Sequence, residues 1–220
     1  MKLFKKAHAD IVLLASLCFT LFVVPLLPAE NRPVAHNLIF SLVLLASTFC
    51  LAKRGALMFR ISAALIALLW ISILFELELL YAVCKILSSF YFIFIVAMLI
   101  GQTAKSKIVT PRVILSSVNG YLLLGLMFSL LVALVCHFQP GAYNFGVRDD
   151  HFSYLHEPVV DYTYYAFTVF ATVGYGDLLP LKPAAKALSI LASVSGQLYL
   201  TILIAVLVGK FLSSEKATKS

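Results

Sequence analysis

The distribution of apolar residues constrains this chain more than any other feature. A bilayer's hydrocarbon core is about 30 Å thick and takes about 20 apolar residues in helical form to cross. About six stretches of the sequence meet that need. They run from Ile11 to Leu27, Val34 to Ala52, Ile61 to Leu80, Val83 to Ile100, Val113 to His137 and Ala184 to Leu212. A shorter apolar segment, Asp161 to Ala171, lies between the last two and is too brief to span. Hydrophobic residues make up 62% of the 220 residues and charged residues 12%, against about 25% charged in an average soluble domain. The expectation is an all-α integral membrane protein of six transmembrane helices, with little chain left for a soluble domain.

Local signals place several boundaries. Thr110-Pro111 reads as a cap followed by a first-turn proline, and Pro183 opens the last helix in the same way. Asp161, shortly after Pro158, is placed to cap the short segment. The third and fourth helices are joined near Glu78-Tyr81, as an antiparallel hairpin.

Charge sets the orientation. With the N-terminus inside, the inner segments hold Lys2, Lys5, Lys6, Lys53, Arg54, Arg60, Lys105, Lys107, Arg112, Lys210, Lys216 and Lys219. The outer ones hold Arg32, Lys85, Arg148, Lys182 and Lys186. Basic residues concentrate on the cytoplasmic side of membrane proteins, so both termini are expected in the cytoplasm of a multi-pass plasma-membrane protein, a bacterial inner membrane by the resemblance below. The same bias accounts for the net charge of +7, and no nucleic-acid partner is expected. Lys2 to Lys6 followed by an apolar run also resembles a signal peptide, but no A-x-A cleavage site is evident, and Pro25 and Pro28 suit a helix end.

Between the fifth and sixth spans, Thr172-Val173-Gly174-Tyr175-Gly176-Asp177 spell TVGYGD. This hexapeptide resembles the selectivity filter of potassium channels. Its chemistry is intelligible residue by residue. An ion stripped of water in a low-dielectric pore needs replacement oxygens. A short run of backbone carbonyls supplies them if successive C=O groups face one axis, which calls for dihedral angles open mainly to glycine, hence Gly174 and Gly176. Thr172 adds a hydroxyl at the inner mouth, Val173 and Tyr175 brace the loop from outside, and Asp177 closes its outer end. The resemblance implies that Thr172, Val173, Gly174, Tyr175 and Gly176 coordinate K⁺, with no cofactor beyond the permeant ion.

The resemblance extends over Pro111 to Ser213, the helix–pore loop–helix module of that family. It implies a re-entrant pore helix at Asp161 to Ala171 and four copies of the chain around one pore, a homotetramer in the lipid bilayer. Filter carbonyls of a lone chain would go unsatisfied in the membrane. Residues 1–104 then form a four-helix transmembrane region and 105–220 the pore domain. By the family pattern Tyr164 and Tyr165 are the aromatic residues packed around the filter, one near Asp177 and one near Tyr175. Plain interfacial tyrosines are the other reading. Two positions depart from common family patterns: Ala171 where a threonine is frequent and Thr168 where some members have a carboxylate. Gly196 stands where the family has its gating hinge, and tight helix packing is the alternative reading. Ile204, Val208 and Leu212 repeat every four residues, as an apolar inner gate or as helix contacts. Gln197-Leu198-Tyr199-Leu200 and Asn119-Gly120-Tyr121 also resemble a group of small bacterial potassium-channel-like proteins.

Six spans with the pore last is the plan of voltage-gated channels, yet from Lys85 to Ile100 the only basic residue is Lys85. A stack of gating charges is absent, so an arginine voltage sensor is not expected. Glu76 and Glu78 are placed to pair with Lys85 or to face the aqueous rim. His151, His156 and Glu157 fall in the outer turret, where imidazole protonation would modulate current, and a metal site there has little support. Cys18, Cys50, Cys84 and Cys136 read as buried small hydrophobes. The tail after the last span leaves no room for a nucleotide-binding domain, so an unknown regulatory subunit is the remaining source of ligand control. The expected function is passive, potassium-selective transport without catalysis. The alternatives are a non-conducting modulatory subunit and a weakly selective cation channel. A secondary potassium transporter is disfavoured, because such proteins carry several degenerate filter copies in one long chain.

Overall fold

The computed structural model describes residues 2–28, 30–51, 55–104, 110–145 and 159–219, with the side chains of 2–7, 33, 55 and 207–219 outside the description. Seven α-helices are described: α1 (Lys2–Cys18), α2 (Arg32–Cys50), α3 (Gly55–Leu74), α4 (Glu78–Ala104), α5 (Pro111–Phe138), α6 (Val159–Phe170) and α7 (Pro183–Lys219). Two short strands, β1 (Tyr143–Asn144) and β2 (Leu179–Pro180), pair antiparallel with Tyr143 opposite Pro180.

Among the described residues, five helical segments are long and apolar enough to cross a membrane: His8–Leu26, Ala56–Leu74, Glu78–Ala104, Pro111–Phe138 and Pro183–Val206. The second expected span is shorter, with an apolar stretch of Val34–Cys50. Its helix starts at the Arg32-Pro33 step and stops where Leu51 turns extended.

Two compact units divide the chain, Met1–Lys105 with Val118–Gly120, and Ser106–Ser117 with Tyr121–Ser220. In the first unit, Leu13, Leu17, Val43, Leu44, Phe92 and Ile95 are buried. Several of its hydroxyl and amide groups find partners inside the unit, as an apolar solvent demands, while the buried Asn119 Oδ1 has none among the described residues. Ser16, Thr20, Ser41 and Ser47 each donate to the carbonyl one turn back. Between helices, Trp70 Nε1 donates to Ser41 Oγ at 3.3 Å, Tyr91 OH to the Met58 carbonyl at 2.6 Å, and Gln102 Nε2 to the Cys50 carbonyl at 3.0 Å. That last bond takes up a carbonyl orphaned by the end of α2.

The first helical span ends at Leu26, beside the expected Leu27, whereas the third helix ends short of its expected bound. The first helix continues beyond Cys18 as a π-turn over Phe19–Val23 and a 3₁₀ turn over Val24–Leu26. Pro25 has no N–H for the regular ladder, and the backbone changes pitch around it. The third helix ends at Leu74 rather than Leu80. Leu77 N–H returns to the Ser72 carbonyl at 2.9 Å and Glu76 N–H to the Ile73 carbonyl at 3.3 Å. This Schellman pattern places Glu76 in the left-handed region at φ 52°. Lys85 lies 5.3 Å from the centre of the Tyr81 ring and donates to its hydroxyl at 3.3 Å.

In the second unit, Thr110 caps α5, accepting from Val113 N–H at 3.4 Å, with Pro111 in the first turn. Phe128, Ala166, Phe170 and Ala192 form one buried cluster. Val132, Ala142, Tyr143, Tyr162, Tyr165 and Ala185 form another. The short helix α6 contributes to both, and its residue Asp161 stands within the first turn rather than at the cap.

Candidate functional site

The site grows from the C-terminal end of α6. A helix leaves its last carbonyls without intrahelical partners, and the next residues use them. Ala171 N–H bonds the Phe167 carbonyl at 2.9 Å and Thr172 N–H the Val169 carbonyl at 2.9 Å. Val173 and Gly174 N–H share the Thr168 carbonyl at 2.8 and 3.1 Å. The Thr168 hydroxyl donates to the Tyr165 carbonyl at 3.0 Å. The donors of the TVG run are therefore turned back into the helix. Among the described residues, no backbone hydrogen bond ends on the carbonyls of Thr172, Val173, Gly174 or Tyr175.

Backbone twist alternates along the same run. Thr172, Gly174 and Gly176 have φ of 61°, 53° and 80°, whereas Val173 and Tyr175 stay outside the positive-φ set. Alternating left- and right-handed residues bring successive amides to one side and carbonyls to the other. Glycine reaches positive φ freely. Thr172 does not, and a β-branched residue there is strained. The side chains of Val173 and Tyr175 are exposed in the single chain, at 52% and 72%.

Tyr164 and Tyr165 do different jobs. Neighbours on an α-helix point about 100° apart, so within one chain they cannot both face the filter. Tyr164 takes both expected partners: its hydroxyl donates to Asp177 Oδ2 at 2.8 Å, and its ring lies parallel to that of Tyr175, 6.3 Å centre to centre. Asp177 Oδ1 in turn accepts from Leu178 N–H at 3.1 Å. The hydrogen bond to Asp177, with a smaller contribution from burial, raises the Tyr164 hydroxyl above the usual tyrosine range. Tyr165 turns inward, bonds Ser189 Oγ on α7 at 2.5 Å and meets the Tyr143 ring edge-on at 5.0 Å.

The loop leaving the filter is fastened too. Leu181 N–H bonds the Ala142 carbonyl at 2.8 Å and Lys182 Nζ the Pro140 carbonyl at 2.8 Å. Together with the β1–β2 pair, these bonds hold the C-terminal end of the TVGYGD segment, and the α6 bonds hold its N-terminal end.

Two glycines bring helices close. A methyl group at Gly196 would strike the Phe170 carbonyl oxygen, and one at Gly125 would meet the Phe167 ring. Gly196 thus lies in tight contact, and α7 runs through it as one continuous helix. Beside it, Gln197 Nε2 donates to Thr172 Oγ1 at 3.0 Å, and Tyr199 OH to the Ser117 carbonyl at 2.7 Å. Sequence reasoning missed the Gln197 contact, since the partners stand 25 positions apart with no local pattern joining them. Ile204 is 59% exposed on α7. The side chains of Val208 and Leu212, like His151, His156 and Glu157, lie outside the described residues.

A protein-family model described as "Ion channel" matches residues 121–213, the stretch that holds α6, the TVGYGD segment and most of α7. No curated protein and no solved structure matches the chain. The family match supports an ion channel, and with the five apolar helices it supports a multi-pass membrane protein.

Proposed function

We propose that the chain is a potassium-selective channel that assembles as a homotetramer and passes K⁺ down its electrochemical gradient. One observation carries the reading: the alternating φ signs at Thr172, Gly174 and Gly176 combined with N–H groups spent on α6. That combination leaves a file of carbonyl oxygens without backbone partners along the segment. In hydrocarbon such groups are costly. In a ring of four copies they replace the hydration shell of a cation.

Thr172, Val173, Gly174, Tyr175 and Gly176 supply the oxygens in this reading, and Asp177 sits at the outer end. Tyr164 and Thr168 hold the segment in place, and Tyr165 supports it indirectly by anchoring α6 to α7. The C-terminal end of α6 carries a partial negative charge that favours a cation below Thr172. The exposed apolar side chains of α7, among them Ile190, Leu191, Val194, Leu198, Ile202 and Ile204, suit burial against further copies and lipid. Helix α2, at 19 residues, rises about 28 Å, close to the bilayer core, and serves as the sixth span. Gly196 is the candidate bending point and Ile204, Val208 and Leu212 the candidate inner gate. Both termini face the cytoplasm.

Purified protein in liposomes, assayed for K⁺ against Na⁺ uptake, tests the reading. K⁺-selective flux blocked by Ba²⁺ is the expected outcome. Equal K⁺ and Na⁺ flux would mean a weakly selective cation channel, and an intact tetramer without flux would favour a modulatory subunit.

A further inference from the structure

We infer that Gln197 is a positioning residue for the innermost cation site, holding the Thr172 hydroxyl so that its free lone pair meets a dehydrated monovalent cation. The inference rests on the channel reading above and concerns a side chain which that reading leaves without a role.

A threonine hydroxyl has one hydrogen and two lone pairs. Left alone it rotates among staggered positions, and only some of them present an oxygen lone pair to an ion. Gln197 Nε2 occupies one lone pair at 3.0 Å. The hydroxyl then has one lone pair and one hydrogen left, and its rotation is restricted. An amide N–H₂ donates and cannot accept, so the bond leaves the hydroxyl hydrogen unused by Gln197.

Backbone geometry makes the bond matter. Thr172 is β-branched and sits at φ 61°, a conformation that surrounding structure must impose. Its own N–H is tied to the Val169 carbonyl, and its side chain is tied to α7. Gly196 explains how α7 comes within reach. Only a residue without a Cβ lets the α7 backbone press on the Phe170 carbonyl, two positions before Thr172. Glycine permits the approach, and the adjacent glutamine uses it.

The test is equilibrium binding to the full-length protein in detergent. Ba²⁺, a divalent ion of K⁺ size, is titrated by calorimetry with and without competing K⁺. Gln197→Met keeps the length of the side chain and removes the donor. It should weaken K⁺-competed Ba²⁺ binding about tenfold, the loss expected for one hydrogen bond, while the oligomer elutes unchanged. In a Thr172→Ala background the same substitution should have no further effect, because the bonded hydroxyl is already gone. A merely structural role for Gln197 would give equal changes in both backgrounds, and that would overturn the inference. Should Gln197→Met fail to assemble, Gln197→Ala carries the same test with less bulk. Wild-type affinity in these variants sinks the inference alone. Wild-type protein that binds no K⁺-displaceable Ba²⁺ sinks the inference and the channel reading together.

Discussion

Tyr164 and Asp177 meet hydroxyl to carboxylate at 2.8 Å, thirteen positions apart, and join α6 to the outer end of the TVGYGD segment. The bond keeps the phenol neutral, since the Asp177 carboxylate opposes a phenolate beside it. A group whose folded-state pKa is raised contributes stability in full below its unfolded value, near 10 for tyrosine, and loses it as pH rises through the folded value. The contact should therefore be intact at neutral pH and fail only in strong alkali. In flux assays, wild-type activity is expected to fall in that alkaline range, and Tyr164→Phe to lower sustained flux at neutral pH and remove the alkaline step. An alkaline step retained in Tyr164→Phe would assign it elsewhere.

Tyr165 and Ser189 allow a directional test. Ser189 spends its hydrogen on the Ala185 carbonyl at 2.7 Å, so Tyr165 is the donor in their bond. Tyr165→Phe removes the donor and leaves Ser189 still paired, a loss of about 1 kcal/mol. Ser189→Ala strands a buried phenol hydroxyl and should cost more, about 1–3 kcal/mol. Thermal melting of the two variants in detergent gives the order, and a greater loss in Tyr165→Phe would reverse the donor assignment.

Gly125 faces the Phe167 ring across α5 and α6. Gly125→Ala overpacks that contact and should destabilise by about 1–3 kcal/mol. The clash is with the far end of a side chain, so Gly125→Ala combined with Phe167→Leu should recover part of the loss. Melting temperatures of the single and double variants check this, and strictly additive losses would contradict the contact.

Glu76 holds a left-handed conformation at φ 52° without glycine's freedom. Glu76→Gly relieves a strain of about 1–2 kcal/mol, less the entropy glycine loses on folding. A small rise in melting temperature is expected, whereas a fall would give the carboxylate a stabilising partner.

Voltage should do little. One charge moved through 100 mV yields about 2.3 kcal/mol, and α4 carries a single basic residue, Lys85, between Lys85 and Ile100. Current–voltage curves in symmetric K⁺ should be close to linear, and Lys85→Gln should leave their shape unchanged. A steep voltage dependence abolished in Lys85→Gln would make Lys85 a gating charge.

Much of this architecture is legible in sequence because its causes are local. Thr110-Pro111 and Pro183 announce helix starts by chemistry that acts over one turn, and α5 and α7 begin there. The apolar runs announce helices because hydrocarbon leaves the backbone little else to form. What escaped the reading depends on contacts distant in sequence or on strain. Pro25 marks the helix end, but nothing local announces the π-turn and 3₁₀ turn that lead into it. Glu76 has no composition cue for positive φ. The family pattern gives Tyr164 and Tyr165 one filter partner each, although helical geometry sends one to Asp177 and the other to Ser189. Gln197 gains its role from a helix approach that Gly196 allows and no local motif encodes.

In the proposed channel, carbonyls freed by the alternating backbone of Thr172 to Gly176 select K⁺. The most direct measurement is the reversal potential of the reconstituted protein with K⁺ on one side of a planar bilayer and Na⁺ on the other. A reversal far towards the K⁺ equilibrium potential is expected, lost when Gly174→Ala obstructs the left-handed turn. A reversal near zero in the wild-type protein would contradict that selectivity.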